Sequence, residues 1–374
     1  MKLLTIMAPL ALALQLQAAP KVQEVNCDKG ETITTALGKA DPGDTIRVTG
    51  FCSERVIITT DRISLAGLPG ATIQGALFAP PSAFSGLVTV DGAQGVRISG
   101  FTIQRSSGEG ILGIRGAAIT VENTVVQDNG GDGIAVTEGS TVEMRNCTIR
   151  RSFAGVDVFT GSNAVLLGDI AVSENRDVGI FAGSSSSIEV RGAKVQSSNN
   201  PVGVVLANSA SLAFFTYPGD TAKGGSLTLT GNLVAGMVVL NSAFEVYSDN
   251  ATITVANNPV GIDMPAGGSI ASPFGIEKGI KFLIENNGVG LNVGQGSNVV
   301  IVGGLTVRNN TTAGIVADNS SLTLVGAPPN PSSITGNPLD LDFRFGARAT
   351  FAGVTFATKK CEPTVLARGI AACP

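Results

Sequence analysis

Short runs of alternating apolar and polar residues, not helical stripes, fill most of this chain. Between residues 131 and 158, Ile134 and Val136 alternate with small residues, and a Glu-Gly-Ser corner follows. Val142 and Met144 then alternate with Glu143 and Arg145, Thr148-Ile149 makes a third run, and Val156 and Val158 start the pattern again. Alternation at period two puts one set of side chains in a core and the other toward solvent, so each run predicts a short strand.

The pattern recurs. A Gly followed by an apolar residue opens one strand of each unit, at Gly110, Gly133, Gly155, Gly179, Gly203, Gly236, Gly261, Gly290 and Gly314. The intervals are 23, 22, 24, 24, 33, 25, 29 and 24 residues, a period that signals a solenoid. Leucine-rich repeats share it, but they require a Leu lattice and a helical or 3-10 segment. Here the inward positions mix Val, Ile and Leu, and each unit carries three alternating runs. The expectation is an all-β chain of about ten stacked coils, each with three parallel strands. Asn stands four residues before the marker Gly at Asn129, Asn175, Asn199, Asn232, Asn257, Asn286 and Asn310. A stacked amide at one corner can bond the coils on either side and satisfy turn backbone groups, so these seven are read as a structural ladder.

The ends differ from the middle. Residues 20–75 read as an N-terminal cap and first coils. Ile33, Ala36, Leu37 and Ala40 lie at helical spacing, and three short strands follow near residues 45–48, 56–58 and 63–65. Repeated coils occupy 96–348, and 349–374 reads as a C-terminal cap. The two long intervals place lateral excursions at Ala213–Gly225 and Pro265–Lys278. In the first, Phe214, Phe215 and Tyr217 offer either a ligand-stacking lip or simple packing against the rod. No linker divides 20–374, which reads as a single domain. Residues 1–19, with Lys2 ahead of an apolar run and Ala18-Ala19, look like a signal peptide, which implies a secreted protein.

With its cap (ITTALGKADPGDTIRVTG, then ITTDRISLAG) and its Asn-bearing coils, the chain resembles the right-handed parallel β-helix proteins of the pectin-lyase-like group. The resemblance spans about Cys27 to Phe356 and implies the fold. It does not imply one activity, because this architecture hosts lyases, hydrolases, epimerases, adhesins and binding proteins.

Composition narrows the chemistry. Of 374 residues none is His or Trp, two are Tyr, and the net charge is −4. Without His there is no Ser-His-Asp triad, Cys-His pair or His-based metal site. Without a basic field, nucleic acid is not an expected partner. Among five cysteines, Cys27 and Cys52 bracket the first unit and Cys361 and Cys373 the last, and are paired on that ground; Cys147 is left as a buried thiol.

Polysaccharide-active members of this fold carry catalytic groups on the outward face of one sheet. The residue two after each marker Gly gives that column: Leu112, Ala135, Asp157, Phe181, Val205, Val238, Asp263, Asn292 and Val316. Its two carboxylates, Asp157 and Asp263, are four coils apart, roughly 19 Å, too far for a glycosidase pair. Asp132, Asp157, Arg176 and Asp177 cluster on three consecutive coils. Asp157 and Arg176 are the catalytic candidates, and Asp132, Asp177, Phe159 and Phe181 the substrate-binding ones, with Ca²⁺ held by the carboxylates as an option. Asp132 and Asp177 stand three or four residues along the coil from Asp157's column, about 10 Å or more by backbone, so solvated turn charge is the ordinary account. The Asp-Asp, Gly-His-Gly and Arg-x-Lys motifs of pectic lyases and polygalacturonases are missing. Two readings follow: a secreted protein that binds a glycan or surface, or serves structurally, without catalysis; or a pectate-lyase-like enzyme acting on an acidic polysaccharide.

Overall fold

Each coil turns through three short strands because Gly, Asn and Ser corners interrupt the alternating runs before any strand grows long. The computed structural model describes residues 19–75, 85–217 and 224–369. Among them, one parallel sheet of thirteen strands runs from Val56–Ile58 through Ile134–Val136, Val156–Val158 and Val178–Ala182 to Lys359–Cys361, one strand per coil. A second assembly of twenty-six strands supplies the other two sides. Thirteen strands in the first sheet mean about thirteen coils, more than the ten read from the marker glycines, because coils at both ends lack the marker.

Registers are continuous along the rod. Ile111, Ile134, Val156, Ile180, Val204, Met237, Ile262, Leu291, Ile315 and Leu341 occupy one inward column of the thirteen-strand sheet. All are at most 1% exposed and join one core that runs the length of the solenoid. Phe214, Phe244 and Phe282 form an aromatic stack within it, ring centroids 6.4 Å apart. The marker glycines are required by close approach: a Cβ on Gly155 would run into Val172 and the Gly179 carbonyl.

The Asn ladder is real but runs through partly different residues. Asn129, Ser152, Asn175, Asn200, Asn232, Asn258, Asn287, Asn310 and Asn337 are buried, and each one's side-chain oxygen accepts a backbone N–H from the coil before it in most rungs, at 2.9–3.1 Å from Asn175 onward to Asn337. Asn199, Asn257 and Asn286 are not rungs. They hold φ of 55°, 59° and 56° at the preceding position, where a left-handed residue turns the corner. The rung stands three residues before the marker Gly in some coils and four in others, so a fixed offset of four selects the wrong partner of each Asn-Asn pair. Asp340 ends the ladder, accepting from Asn337 and from the backbone N–H groups of Ala357 and Thr358.

At the N-terminal end, Val22–Asn26 pairs with Thr45–Thr49, and the helix Ile33–Leu37 inserts Ile33 and Ala36 into the core. Thr32 caps that helix, accepting the Thr35 N–H at 3.2 Å. Cys27 and Cys52 are disulfide-bonded. Cys361 is disulfide-bonded as well, while Cys373 lies outside the described residues. Beyond 348 the coil register continues: Arg348–Ala352, Val354–Phe356 and Lys359–Cys361 each pair with the coil before. The excursions are also shorter than the intervals implied. Ser211–Phe214, Val260–Ala266 and Ser269–Ser272 are strands, and a single helical turn, Gly275–Lys278, makes most of the second excursion. Among the described residues no helix is long and apolar enough to cross a membrane; the proposed signal segment falls almost wholly outside them.

Candidate functional site

The outward column of the thirteen-strand sheet is in register as expected: Thr89, Leu112, Ala135, Asp157, Phe181, Val205, Val238 and Asp263 face outward on successive coils. A second column stands at the corner just before this sheet. The carbonyls of Glu109, Asp132 and Ala154 accept equivalent N–H groups, from Leu87, Gly110 and Gly133, so these three residues hold the same place in consecutive coils. Two adjacent coils thus form a square with Asp132 and Asp157 at opposite corners. The other two corners are Ala135 and Ala154, 7% and 4% exposed. Both are small, and the carboxyls meet across the diagonal.

Asp157 donates a hydrogen bond to Asp132. Asp132 Oδ1 also accepts the Ala154 N–H at 3.0 Å, which works against the rise that burial imposes on that carboxyl. Burial, then the charge of Asp132, then that hydrogen bond push the Asp157 carboxyl up to about 7, and Glu109 adds to the repulsion. Burial raises Asp132 and Glu109 as well. Asp157 Oδ1 and Glu109 Oε2 are buried atoms without a hydrogen-bond partner. Carboxylates this enclosed, close together and unpaired by cations titrate where ordinary surface acids do not.

The neighbouring cations are committed elsewhere. Arg176 reaches back two coils and donates to the carbonyls of Asn129 and Gly130, at 3.0 and 2.5 Å. It therefore braces the corner and does not face Asp157. Arg55 donates to the Gly86 carbonyl at 3.2 Å and offsets only part of the Glu109 charge. Asp177 is exposed and acts on Asp132 through its charge alone. Phe181 follows Asp157 in the outward column, and Phe159, two residues beyond Asp157 and 40% exposed, tilts against it with centroids 6.2 Å apart. The two rings make an aromatic shelf beside the acids.

The carboxylates do not form a metal cage. Among the described residues, the one group of three acid or thiol side chains with ligand atoms within 4.8 Å of one another is Cys27, Cys52 and Glu54, and its two sulfurs are bonded to each other. No step is assigned to Ca²⁺ on this geometry.

Comparison with known proteins settles the architecture. A family model described as a right-handed β-helix region matches residues 85–260. The chain folds as a right-handed parallel β-helix. Among solved structures, this β-helix is similar to the mannuronan C-5 epimerase AlgE6 A-module of Azotobacter vinelandii, at 15% identity over 91% of this chain and 93% of that one, with a TM-score of 0.52. It is also similar to the pectate lyase Pel9A, at 11% identity over 92% and 79% with a TM-score of 0.41, and to a polygalacturonase from Erwinia carotovora ssp. carotovora, at 11% over 97% and 99% with a TM-score of 0.31. No curated protein sequence matches the β-helix. At 15% identity the likeness to the epimerase module is one of fold alone.

Of the residues singled out in the sequence, the β-helix brings Asp132, Asp157, Phe159 and Phe181 together and leaves Arg176 and Asp177 at the rim. The backbone separation of Asp132 and Asp157 had argued against their meeting; the side chains close that gap. Glu109 was missed. Its signal lay in the position preceding the marker Gly, which is Glu109 and Asp132 in two successive coils and then Ala154, Val178, Val202 and Ala235.

Proposed function

We propose that this protein is a carbohydrate-active enzyme with Asp157 as its general acid, Asp132 as the residue that positions the proton, and Phe159 and Phe181 as the sugar platform. One observation carries the reading: two enclosed carboxyls facing one another with no cation between them, at the edge of an exposed aromatic shelf. A carboxyl held near pH 7 keeps its proton under working conditions and can give it to a leaving glycosidic oxygen, while a water molecule forms the new bond at the anomeric carbon and releases its own proton to solvent. The ionised Asp132 fixes that proton's direction. Pyranose rings present an apolar face to the Phe159–Phe181 pair while their hydroxyls reach the acids.

The charge of the site favours a neutral saccharide over a uronate. Three carboxylates stand on consecutive coils, and both nearby guanidiniums are spent on carbonyl oxygens. In the sequence the non-catalytic reading rests on the absence of His, a mostly apolar or small outward column and the lack of a close carboxylate pair; a pairing of Asp157 with Asp132 from the adjoining corner bears on the last of these. The reading includes export, supported by the disulfides and by residues 1–19.

The test is a depolymerisation screen with neutral β-glucans, xylan and mannan beside pectate and alginate, read by reducing-end release and product chromatography. The expected result is turnover of a neutral glycan, unaffected by chelator, falling as pH rises through about 7 and at least 100-fold slower in Asp157→Asn. Turnover of none of the neutral glycans, or an Asp157→Asn enzyme as fast as the parent, overturns the proposal.

A further inference from the structure

A second aromatic surface lies on a different corner of the rod. Strands Ser187–Val190, Ser211–Phe214, Ala243–Val246 and Ser269–Ser272 stack in register. Immediately after the first three, the chain turns outward at Arg191, Phe215 and Tyr247; after the fourth it turns at Pro273 and Phe274. Phe215 and Tyr247 lie 6.2 Å apart by ring centroid, Tyr247 and Phe274 6.3 Å, and Phe215 and Tyr217 5.0 Å. The Arg191 guanidinium sits 4.5 Å over the Tyr217 ring. With Thr216 and Lys278, the rings Phe215, Tyr247 and Phe274 line a cavity of about 270 Å³.

Packing does not account for these rings. The same coils already bury an aromatic stack, Phe214, Phe244 and Phe282, each at most 1% exposed. The outer rings Phe215, Tyr217 and Phe274 remain 38%, 43% and 46% exposed. Phe214, read in the sequence as part of an outer lip, belongs to the inner stack. The chain has two tyrosines and no tryptophan, and both tyrosines stand at this corner.

The rim decides what kind of molecule fits. Lys278 pairs with Asp249 at 2.9 Å, Arg191 with Glu189 at 2.8 Å, and the hydroxyls of Thr216 and Ser248 share a hydrogen bond. A lipid chain would leave these polar groups facing hydrocarbon. A saccharide presents C–H faces to rings and hydroxyls to such a rim, and the rings climb with the coil repeat of roughly 4.8 Å, close to the length of one sugar residue. The two rim ion pairs cancel and the further charge beside Tyr247, that of Glu245, is negative, so nothing at the slot selects an acidic sugar.

We propose that this corner is a second, non-catalytic binding site for a neutral oligosaccharide, stacked on Phe215, Tyr247 and Phe274. It lies two to four coils beyond Asp157, roughly 10–19 Å along the axis and on another side of the rod, so it would anchor a polymer without being the acid–base site.

The absence of Trp makes the slot its own reporter, because the tyrosine emission of the whole chain arises there. The experiment uses the full chain carrying Asp157→Asn, so that binding is read without turnover and whatever the role of Asp157. Cellohexaose, xylohexaose, laminarihexaose and mannohexaose are titrated, with hexagalacturonate as the acidic control, following tyrosine emission and calorimetric heat. A saturable change with a neutral hexasaccharide is expected, weakened at least tenfold in Phe274→Ala and retained in Tyr247→Phe. Circular dichroism and the melting temperature check that Phe274→Ala is folded, and Lys278→Ala provides a second variant at the rim. The proposal fails if no neutral hexasaccharide binds, if Phe274→Ala binds as tightly as the parent, or if the surface instead drives a concentration-dependent dimer that Phe274→Ala abolishes.

Discussion

Replacing Asp157 by Asn tests the shared proton through stability alone, before any substrate is known. An ordinary Asp loses its proton near pH 3.9, whereas Asp157 in the folded chain holds its proton to about 7. Between those values the native state binds more protons than the unfolded chain. Stability is therefore fully present below about pH 4 and declines as pH rises through 7, at up to about 1.4 kcal/mol per pH unit. Three units of difference amount to about 4 kcal/mol as an upper bound, since relaxation and water entry at high pH recover part of it. In Asp157→Asn the amide N–H can take over the hydrogen bond to Asp132, and no charge develops at position 157. Below about pH 4 variant and parent should be equally stable; at pH 5 the variant should already lead by up to about 1.5 kcal/mol, and at pH 8 by about 2–4 kcal/mol, a rise of several degrees in melting temperature. Long repeat arrays need not unfold in one step, so the comparison rests on paired thermal scans at each pH, not on extrapolated free energies. Parallel pH profiles, or a variant less stable than the parent at pH 8, would refute the shared proton.

Two further expectations test the scaffold. Asn258→Ala removes the oxygen that accepts both the backbone and amide N–H groups of Asn232 and should cost about 2–4 kcal/mol, whereas Asn257→Gly, at a φ of 59° on the exposed side, should stay within about 0.5 kcal/mol; urea midpoints of the two variants decide it. Opening the Cys27–Cys52 bridge, which closes a separation of 25 residues, with a paired Cys→Ser substitution should cost about 3 kcal/mol, seen as earlier hydrogen exchange in Thr45–Thr49 than in Val156–Val158.

The coil was legible because its steric demands repeat. At eight of the nine marker glycines a Cβ would come within about 3.1 Å of a ladder amide, and at Gly133 it would meet Ile149 and the Gly155 carbonyl, so the Gly-apolar step recurs with the coil length. Ladder rungs were less legible for a local reason. At Asn199-Asn200, Asn257-Asn258 and Asn286-Asn287 one residue must adopt the left-handed conformation and the next must turn inward, and Asn serves in both roles. Ser152 shows the same division: Arg151 takes the left-handed position, with φ 52°, and Ser152 the rung. The reliable sign is a residue tolerant of positive φ followed by a short polar side chain, whatever its distance from Gly.

The acid pair was hidden for a different reason. A solenoid invites reading one column at a time, and along a single strand Asp132 and Asp157 belong to positions three residues apart, too distant to meet. Their contact is diagonal, made between one column in one coil and another column in the next, and it depends on what fills the remaining corners. Ala135 and Ala154 leave that diagonal open. A larger side chain at either position would stand between the carboxyls, and each acid would then turn to solvent and titrate as an ordinary one. The informative unit of such a surface is therefore the two-by-two block of neighbouring positions. Scanned that way, acids at diagonal corners separated by two small residues occur where Glu109 already adds a third charge one coil earlier, and no carboxylate follows in that corner column through Ala313. The concentration of charge over three of about thirteen coils, on a rod whose corner positions are otherwise apolar, is what separates a built site from scattered surface acids.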